Sequence, residues 1–170
     1  MAASTNETSS IDTAITKVIS QLENISALKD EQRTALEAFL SGKDVFALLP
    51  TGFGKSLIYQ LAPLVAKEMG TKPNPILIVV SPLVALIADQ IKEATKLGLK
   101  ALQLSNNAAH DDIIHGRCQL VFGSPSRGYS TTNGVICCPQ SCTVKTYWAL
   151  LSMKLTLHTN GKLNGVVFIV

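Results

Sequence analysis

The chain has 170 residues, which is enough for one domain with a sizeable buried core. Hydrophobic residues make up 46% of it and charged residues only 16%, so the composition is that of a globular protein and not of a disordered one. The formal net charge of +3 permits a nucleic-acid partner without indicating one. The longest apolar run, residues 76–88, contains a serine and a proline and is shorter than the ~20 residues that span a bilayer, so we expect no membrane segment.

The first forty residues predict a short tail followed by two helices. Residues 1–9 are small and polar, and we expect them to be disordered. They lack the basic flank and apolar stretch of a secretory signal, so we expect an intracellular, soluble protein. Apolar residues at helical spacing predict an amphipathic helix within residues 10–27, with its buried side formed by Ile11, Ile15, Val18, Ile19 and Leu22. A second helix should follow Asp30, a candidate N-cap, and bury Ala35, Leu36, Phe39 and Leu40.

From residue 45 onward, short apolar runs alternate with helical patterns. Strands are predicted at 45–49, 76–80, 101–104, 119–123 and 166–170. Helices are predicted at 55–69, 83–96 and 144–157, with a short one at 111–115. We expect Pro63 to kink or locally break the first of these helices and Gly98 to close the second. The strands do not alternate in polarity and are flanked by helices, which is typical of a mainly parallel sheet covered on both faces, and so of an α/β fold.

Two segments of the second half carry weaker signals. Residues 127–143 have no clean period and are predicted to be an irregular loop or insert. Within them, the segment "CCPQSC" lacks the paired C-x-x-C spacing of a zinc site. We interpret its three cysteines, and Cys118, as free thiols of a reducing compartment, with metal binding as the alternative.

The segment "LLPTGFGKS", residues 48–56, lies between a predicted strand and a predicted helix. It fits the phosphate-loop pattern G-x-x-x-x-G-K-[ST] at Gly54, Lys55 and Ser56, whereas Leu49 stands at the leading glycine position and Gly52 supplies the freedom instead. Glycines let successive N–H groups turn toward a phosphate, and the positive end of the following helix adds to the attraction. Lys55 would reach the outer phosphates, and Ser56 would offer its hydroxyl to Mg²⁺. The sequence therefore predicts a nucleotide-binding loop; the alternative is a chance turn with a solvated lysine.

Three segments in order resemble the RecQ family of superfamily 2 DNA helicases. "LKDEQRTALEAFLSGKDVFALLPTGFGKS" resembles that family's adenine-reading segment and phosphate loop. "VVSPLVALIADQ", residues 79–90, is similar to its motif Ia. "QLVFGSPS", residues 119–126, is similar to its motif Ib, except that Ser126 stands where a glutamate is usual. The resemblance covers about residues 28–126.

The resemblance implies that residues 28–170 are part of the first RecA-like, P-loop NTPase domain of an ATP-driven, 3′-to-5′ DNA-unwinding motor located in the nucleus. Gln32 would then hydrogen-bond the adenine, and Lys29 would flank the base. The ATP phosphates and Mg²⁺ would be held by Thr51, Gly52, Phe53, Gly54, Lys55 and Ser56. DNA, single-stranded or at a duplex junction, would be contacted by Ser81, Pro82, Leu83 and Gln90. Nothing in the sequence points to an obligate oligomer.

Several of these residues also have plainer interpretations. An amide side chain matches the adenine edge, but an isolated helix glutamine such as Gln32 more often faces solvent. Ser81 is also a candidate helix N-cap with Pro82 at the first helical position. Arg117 and Lys96 could add phosphate contacts, although surface charges of this kind usually have no specific role.

The groups that would complete a helicase active site do not follow. "NGVVFIV" looks like the strand that precedes the family's acidic D-E-x-H box, yet no Asp or Glu occurs after Asp112. Without those carboxylates, Mg²⁺ loses an anchor and nothing activates the attacking water. We therefore expect a truncated or partial helicase that binds nucleotide without hydrolysing it. The alternatives are part of a DEAD-box-type RNA helicase, although "SPLVALIADQ" differs from the P-T-R-E-L-type segment usual there, and a non-catalytic nucleotide- or strand-binding module.

Overall fold

The computed structural model of the chain describes the backbone of residues 3–71, 74–81, 83–104, 112–113, 115–123, 130–132, 135–137, 147–151 and 166–169, and side chains between residues 10 and 123. Its helices are α1 (Ala3–Ser20), α2 (Asp30–Leu40), α3 (Lys55–Glu68) and α4 (Val84–Lys96). Its strands are β1 (Val45–Ala47), β2 (Ile76–Val80), β3 (Ala101–Gln103), β4 (Leu120–Gly123), β5 (Ser130–Thr132), β6 (Val135–Cys137), β7 (Tyr147–Leu151) and β8 (Val166–Ile169).

Six of the strands form one sheet in the order β1-β8-β7-β2-β4-β3. Every neighbouring pair in this sheet is parallel, which confirms the predicted mainly parallel α/β architecture. In the middle of the sheet, Leu77 lies opposite Leu120 of β4 and Trp148 of β7. Because all six strands run the same way, the segments that leave their carboxyl ends gather at one edge.

The core lies between this sheet and the helices. Leu77, Leu120 and Phe122 from the strands and Leu61 from α3 are completely buried. The apolar stripe predicted for the first helix packs on the same core, and Ile15 is also fully buried. Burying a side chain of this size contributes about 1.5–3 kcal/mol relative to leaving it in water, so these positions stabilise the described fold strongly.

The N-terminal helix differs from expectation at both ends. It begins at Ala3, so the expected disorder of residues 1–9 is wrong for residues 3–9, which contain neither glycine nor proline to stop a helix. It ends at Ser20 and not near residue 27. There the Ser20 hydroxyl donates to the Lys17 carbonyl at 2.7 Å, and the Gln21 N–H turns back to the Val18 carbonyl at 3.1 Å. These bonds tighten and close the last turn.

Helices α2 and α3 also correct local expectations. Asp30 is the first residue of α2, and Lys29 is its N-cap, so the candidate cap was placed one residue late. Helix α3 runs unbroken from Lys55 to Glu68 with Pro63 inside it, so the expected local break is wrong. Pro63 and the residues around it are buried, and this packing outweighs a helix-interior proline penalty of about 3 kcal/mol.

The second half contains strands where none were expected. Residues 127–143 include the antiparallel pair β5–β6, with Thr131 opposite Ile136. The Asn-Gly dipeptide at 133–134 is a strong hairpin signal in the sequence, although the flanking residues have no helical or strand period. Residues 147–151, expected in a helix, form β7, because the aromatic and apolar run "YWALL" pairs along the whole of β2. The short helix expected at 111–115 falls partly outside the described residues.

The cysteines and the helix compositions bear on whether the described residues contain a metal site or a membrane-spanning helix. Cys118 is buried beside Ile78 and Val121, and this burial raises the pKa of its thiol to about 11. The side chains of the other three cysteines lie outside the described residues. Among the described residues, no three His, Cys, Asp or Glu side chains are grouped to bind a metal ion. None of the described helices is long and apolar enough to cross a bilayer.

Candidate nucleotide and nucleic-acid site

The loop between β1 and α3 has the path expected of a phosphate loop. Gly52 and Gly54 have φ values of 80° and 85°, a left-handed conformation that residues with a side chain rarely adopt. Between them, the Phe53 N–H donates to the Pro50 carbonyl at 3.2 Å. Helix α3 then begins at Lys55. The two glycines are therefore required by the backbone, and the predicted order of strand, glycine loop and helix is present.

The first turn of α3 is open toward the loop. Its N-cap is Gly54, and no described side chain caps the helix there. The first N–H groups of a helix have no partner within it, so those of Lys55 and Ser56 are available to an anion. The Lys55 ammonium folds back and donates to the Leu49 carbonyl at 2.9 Å. A bound phosphate would take the place of that carbonyl with a full negative charge, which is the stronger partner for an ammonium.

Gln32 connects α2 to this loop across 21 residues of sequence. Its side chain is only 4% exposed. Its Nε2 donates to the carbonyls of Phe53, at 2.9 Å, and Gly54, at 3.0 Å, while its Oε1 accepts from the Lys29 N–H at 3.0 Å. The side-chain NH₂ group of Gln32 therefore donates to two carbonyls of the loop. The interpretation of Gln32 as a solvent-facing helix residue is wrong, because the loop covers it.

Lys29 approaches the same Phe53 carbonyl that Gln32 binds. Its ammonium is 3.4 Å from the Phe53 carbonyl oxygen and 4.0 Å from the centre of the Phe53 ring, a cation–π arrangement. Lys29 itself is exposed, and so are Thr51 and Gly52 on the outer side of the loop. Together, Lys29, Gln32 and the loop carbonyls form one contiguous cluster, which we call the loop brace. The family resemblance assigned Gln32 and Lys29 to the nucleotide base, whereas their contacts with the loop itself were not predicted.

The residues around the loop fit a magnesium ion carried in with a nucleotide better than one held by the protein alone. Ser56 lies half-buried on the first turn of α3, directly after Lys55. Its hydroxyl is one hard oxygen ligand, and no described group of three acidic or imidazole side chains adds to it. Mg²⁺ commonly keeps several waters and takes phosphate oxygens with one or two protein ligands, so a single hydroxyl is compatible with it.

The segment 81–90 leaves β2 at the same edge of the sheet. The Ser81 N–H donates to the Gly123 carbonyl at 2.8 Å and so extends the β2–β4 ladder by one residue. Helix α4 starts only at Val84, with Leu83 as an extended N-cap. The expectation that Ser81 caps this helix is therefore wrong, because the strand pairing holds its backbone. Pro82 and Ser126 lie outside the described residues.

Most of this segment is exposed and apolar. Leu83, Val84 and Leu86 are 53%, 52% and 48% exposed. Gln90 is half-buried and is held by the Tyr59 hydroxyl. Strands β1 and β2 are separated by two others, so the loop and Ser81 are about 14 Å apart along the sheet edge, at ~4.8 Å per strand. Of the two basic residues that could add phosphate contacts, Lys96 is exposed, but Arg117 is bound to Asp112 with an Nε to Oδ1 distance of 2.6 Å.

Tyr59 is a site residue that sequence reasoning missed. It lies one turn after Ser56 in α3, is buried, and donates its hydroxyl to the Gln90 amide oxygen. Its ring meets Phe122 of β4 edge-on, with centroids 6.2 Å apart and an interplanar angle of 77°. Burial raises the pKa of Tyr59 above its usual range, as does the charge of Glu93, while the nearby Ser56 side chain lowers that pKa. From the sequence alone, helical periodicity indicates only that Tyr59 lies on the buried face of a helix.

Comparison with protein families matches residues 29–155 to the DEAD/DEAH box helicase family. Curated relatives are similar over somewhat more than half of the chain. The ATP-dependent helicase SGS1 of Saccharomyces cerevisiae is 38% identical over 59% of this chain, and the putative ATP-dependent DNA helicase Q1 of Caenorhabditis briggsae is 42% identical over 55%. The probable ATP-dependent DNA helicase RecS of Bacillus subtilis is 35% identical over 56%. The chain spans only 7%, 14% and 18% of the lengths of these three relatives.

Solved helicase structures share the fold. The RNA helicase Prp28 of Chaetomium thermophilum bound to ADP matches with a TM-score of 0.56 at 14% identity, covering 92% of this chain and 42% of that one. A hypothetical ATP-dependent RNA helicase from Sulfolobus tokodaii matches with a TM-score of 0.54 at 14% identity, covering 95% of this chain and 50% of that one. At these identities the likeness establishes a RecA-like helicase fold and nothing about the substrate.

Proposed function

Because the chain belongs to the DEAD/DEAH box helicase family, we propose that it is the ATP-binding part of a RecQ-type DNA helicase, which couples ATP hydrolysis to DNA unwinding. The observation that carries this proposal is the loop brace. It places Gln32 and Lys29 against the same glycine loop that presents Lys55 and Ser56. A chance turn with a solvated lysine has no reason to be braced in this way.

Family membership implies nucleotide use, and the finer proposal is ATP with Mg²⁺. Lys55 would exchange the Leu49 carbonyl for the outer phosphates, next to the open N–H groups of α3. Ser56 would hold Mg²⁺, whose charge would offset that of the phosphates when bound. Gln32 would turn its amide from the loop carbonyls to the adenine edge, and Lys29 would flank the base.

For the polynucleotide, we propose single-stranded DNA lying along the segment 81–90. The exposed Leu83, Val84 and Leu86 offer apolar contact to sugars and bases, and the edge of the sheet brings them to the same side as the loop. The relatives named above as DNA helicases support DNA over RNA, since the RNA helicases share only the fold. With DNA as the substrate, a nuclear location is the matching proposal for the whole protein.

The nucleotide proposal is tested by fluorescence titration of the full chain with a fluorescent ATP analogue in the presence of Mg²⁺. We expect saturable binding that ATP competes more strongly than GTP, and that weakens when EDTA removes the metal. Equal competition by both nucleotides would contradict an adenine-reading Gln32. No saturable binding at all would contradict the proposed function.

The strand proposal is tested by fluorescence anisotropy with an oligo-dT and an oligo-U of equal length. We expect the DNA to bind at least as tightly as the RNA, and Leu83→Asp to weaken binding, since it puts a negative charge where the phosphates would pass. Gln21→Asp is the matched control, because it adds an aspartate at an exposed position after α1. Equal weakening by both variants would contradict a binding role for the segment. Clear preference for RNA would favour the RNA-helicase alternative.

A further inference from the structure

Phe53 contacts both of the residues that are proposed to read the nucleotide base. Its carbonyl oxygen accepts from the Gln32 Nε2 at 2.9 Å and lies 3.4 Å from the Lys29 ammonium. The centre of its ring lies 4.0 Å from the same ammonium. Asp30 and Glu31 follow Lys29 directly, yet among the described residues no carboxylate forms an ion pair with it. Lys29 is therefore held by the ring and the carbonyl of one loop residue.

We propose that Phe53 is a built-in competitor of the nucleotide base. In the nucleotide-free chain its ring occupies the Lys29 ammonium, and this contact has to break before Lys29 can flank a base. The inference rests on the proposed function, since that function assigns Lys29 and Gln32 to the base. It adds a loop residue that opposes binding: Phe53 lowers the affinity for ligands that carry a base and leaves the affinity for phosphates alone unchanged.

The competition follows from the chemistry of the ammonium group. A phenyl ring attracts a cation to its face, and every nucleotide base also has a π-face. In the free chain the ammonium is turned to the loop, where both the ring and the carbonyl of Phe53 hold it. A binding-competent state that is only partly populated lowers the apparent affinity by that fraction. Weakening the hold on Lys29 should therefore tighten binding of the base.

The backbone around Phe53 allows its ring to leave. Gly52 and Gly54 flank it on both sides, and glycine changes its backbone angles at little steric cost. The space beside Gly52 is open, since a Cβ placed there would meet nothing within 4 Å. Phe53 itself is only half-buried. Its displacement thus removes little apolar surface from the core and strains no neighbouring residue.

A cation over a partly exposed ring is by itself ordinary, because such pairs occur about once per 70–80 residues. The distinguishing feature is that one residue engages both proposed base readers at once. Its main chain binds the Gln32 amide, while its side chain and main chain together bind Lys29. An incidental ring contact has no reason to coincide with a hydrogen bond to the second reader.

The test is isothermal titration calorimetry of the full chain with ATP and with inorganic tripolyphosphate, in the same Mg²⁺ buffer. Phe53→Leu keeps an apolar side chain of similar reach and removes the π-face. We expect it to bind ATP more tightly by about 2- to 5-fold, the value of a cation–π contact at an exposed site, and to bind tripolyphosphate like the wild type. Weaker ATP binding would mean that the ring stacks on the base, and would overturn the inference.

Two controls isolate the contact with Lys29. Phe46→Leu makes the same change at an exposed phenylalanine of β1 and should bind both ligands like the wild type. In a Lys29→Gln background, Phe53→Leu should leave the ATP affinity unchanged, because no ammonium remains for the ring to hold.

Unchanged ATP affinity in Phe53→Leu, equal tightening of both ligands, or the same gain in Phe46→Leu or without Lys29 would overturn the inference. If neither the wild type nor Phe53→Leu binds either ligand, the proposed function is overturned and the inference with it. Binding of ATP that Phe53→Leu does not tighten leaves the proposed function standing and removes only the competitor.

A second measurement needs no variant, and so stands even where Phe53→Leu disturbs the loop. In the free wild type, NMR should show a nuclear Overhauser effect between the Lys29 ε-methylene and the Phe53 ring protons. Saturating ATP should abolish it, whereas saturating tripolyphosphate should not. Its absence from the free chain, or its persistence in the ATP-bound chain, would overturn the competition.

Discussion

The glycine loop, residues 48–56, and the segment 81–90 lie at the same edge of the sheet but are held in different ways. The loop is braced from inside, because Gln32 and Lys29 bind its carbonyls and Lys55 binds the Leu49 carbonyl. The segment is fixed by the Ser81 N–H on β4, by the buried Ile87 and by Gln90 on Tyr59. Its outer apolar side chains, Leu83, Val84 and Leu86, are about half exposed.

This difference indicates how each region would meet a ligand. A nucleotide at the loop would have to replace contacts that already exist. Its affinity would therefore depend on particular replacements, such as that of the Leu49 carbonyl by a phosphate as the partner of Lys55. A strand on the segment covers exposed surface, so its affinity depends on area and charge. Substitutions in the loop should therefore change the affinity for some nucleotides more than for others. Substitutions in the segment should weaken the binding of all DNA sequences alike.

The largest expected effect concerns catalysis, because no Asp or Glu occurs after Asp112 in this chain. Residues 113–170 contain no Asp or Glu that could position the attacking water. A positioned general base alone is typically worth ~100- to 10,000-fold in rate. We expect the 170-residue chain, purified alone, to show no DNA-stimulated phosphate release above background. DNA-stimulated turnover that disappears in Lys55→Ala would contradict this and show that the catalytic groups lie elsewhere.

A second prediction separates the inner and outer faces of the segment. Ile87 is completely buried, whereas the adjacent Leu86 is 48% exposed. We expect Ile87→Ala to lower the free energy of unfolding by about 2–5 kcal/mol, the usual cost of emptying a core position. Leu86→Ala should change it by no more than about 0.5 kcal/mol, as surface substitutions do, while weakening DNA binding. Urea denaturation measures both, and equal destabilisation would show that the outer face is not open surface.

A third prediction concerns the loop brace. A Cβ added at Gly54 would lie 2.7 Å from the Gln32 Nε2, whereas one at Gly42 would meet nothing within 4 Å, and both glycines have positive φ. Gly54→Ala and Gly42→Ala should therefore share the backbone strain. Only the first displaces the Gln32 amide, which should add about 1–3 kcal/mol of destabilisation for an unsatisfied buried group. Equal unfolding free energies in urea would mean that the Gln32 contacts contribute nothing to the fold.

The smallest expected effect is on base preference. Gln32→Ala should reduce the preference for ATP over GTP by up to about tenfold, the value of one or two neutral hydrogen bonds, and leave affinity for the triphosphate itself largely intact. Competition titrations with both nucleotides measure it. A proportional loss of both would assign Gln32 to the brace alone and remove it from adenine reading.

The sequence was sufficient for the part of the fold that carries the loop. Non-alternating apolar runs predicted the parallel strands, and the order of strand, glycines, lysine and serine predicted the loop before α3. A long periodic segment such as α3 can be predicted as a helix from its own residues. That the helix continues through Pro63 depends on tertiary packing, which no local rule predicts.

What the sequence could not supply depends on distant partners. Residues 147–151 are apolar enough for either helix or strand, and only pairing with β2 decides for the strand. The position of Gln32 near the loop came from a family resemblance, but its bonds to the loop carbonyls depend on how α2 packs. Tyr59 was missed because a helical period cannot tell a core tyrosine from one whose hydroxyl meets Gln90 on another helix.

The central claim, that residues 48–56 bind the phosphates of a nucleotide, is tested most directly by one titration. The wild-type 170-residue chain, Lys55→Ala and Lys43→Ala are titrated with the fluorescent ATP analogue and Mg²⁺. Lys43 is an exposed lysine before β1 and serves as the control. A charge-assisted contact contributes about 1.5–3 kcal/mol, so Lys55→Ala should weaken binding by about 10- to 150-fold. Lys43→Ala should bind like the wild type. Wild-type affinity in Lys55→Ala, or equal weakening in both variants, would contradict a phosphate-binding loop at this position.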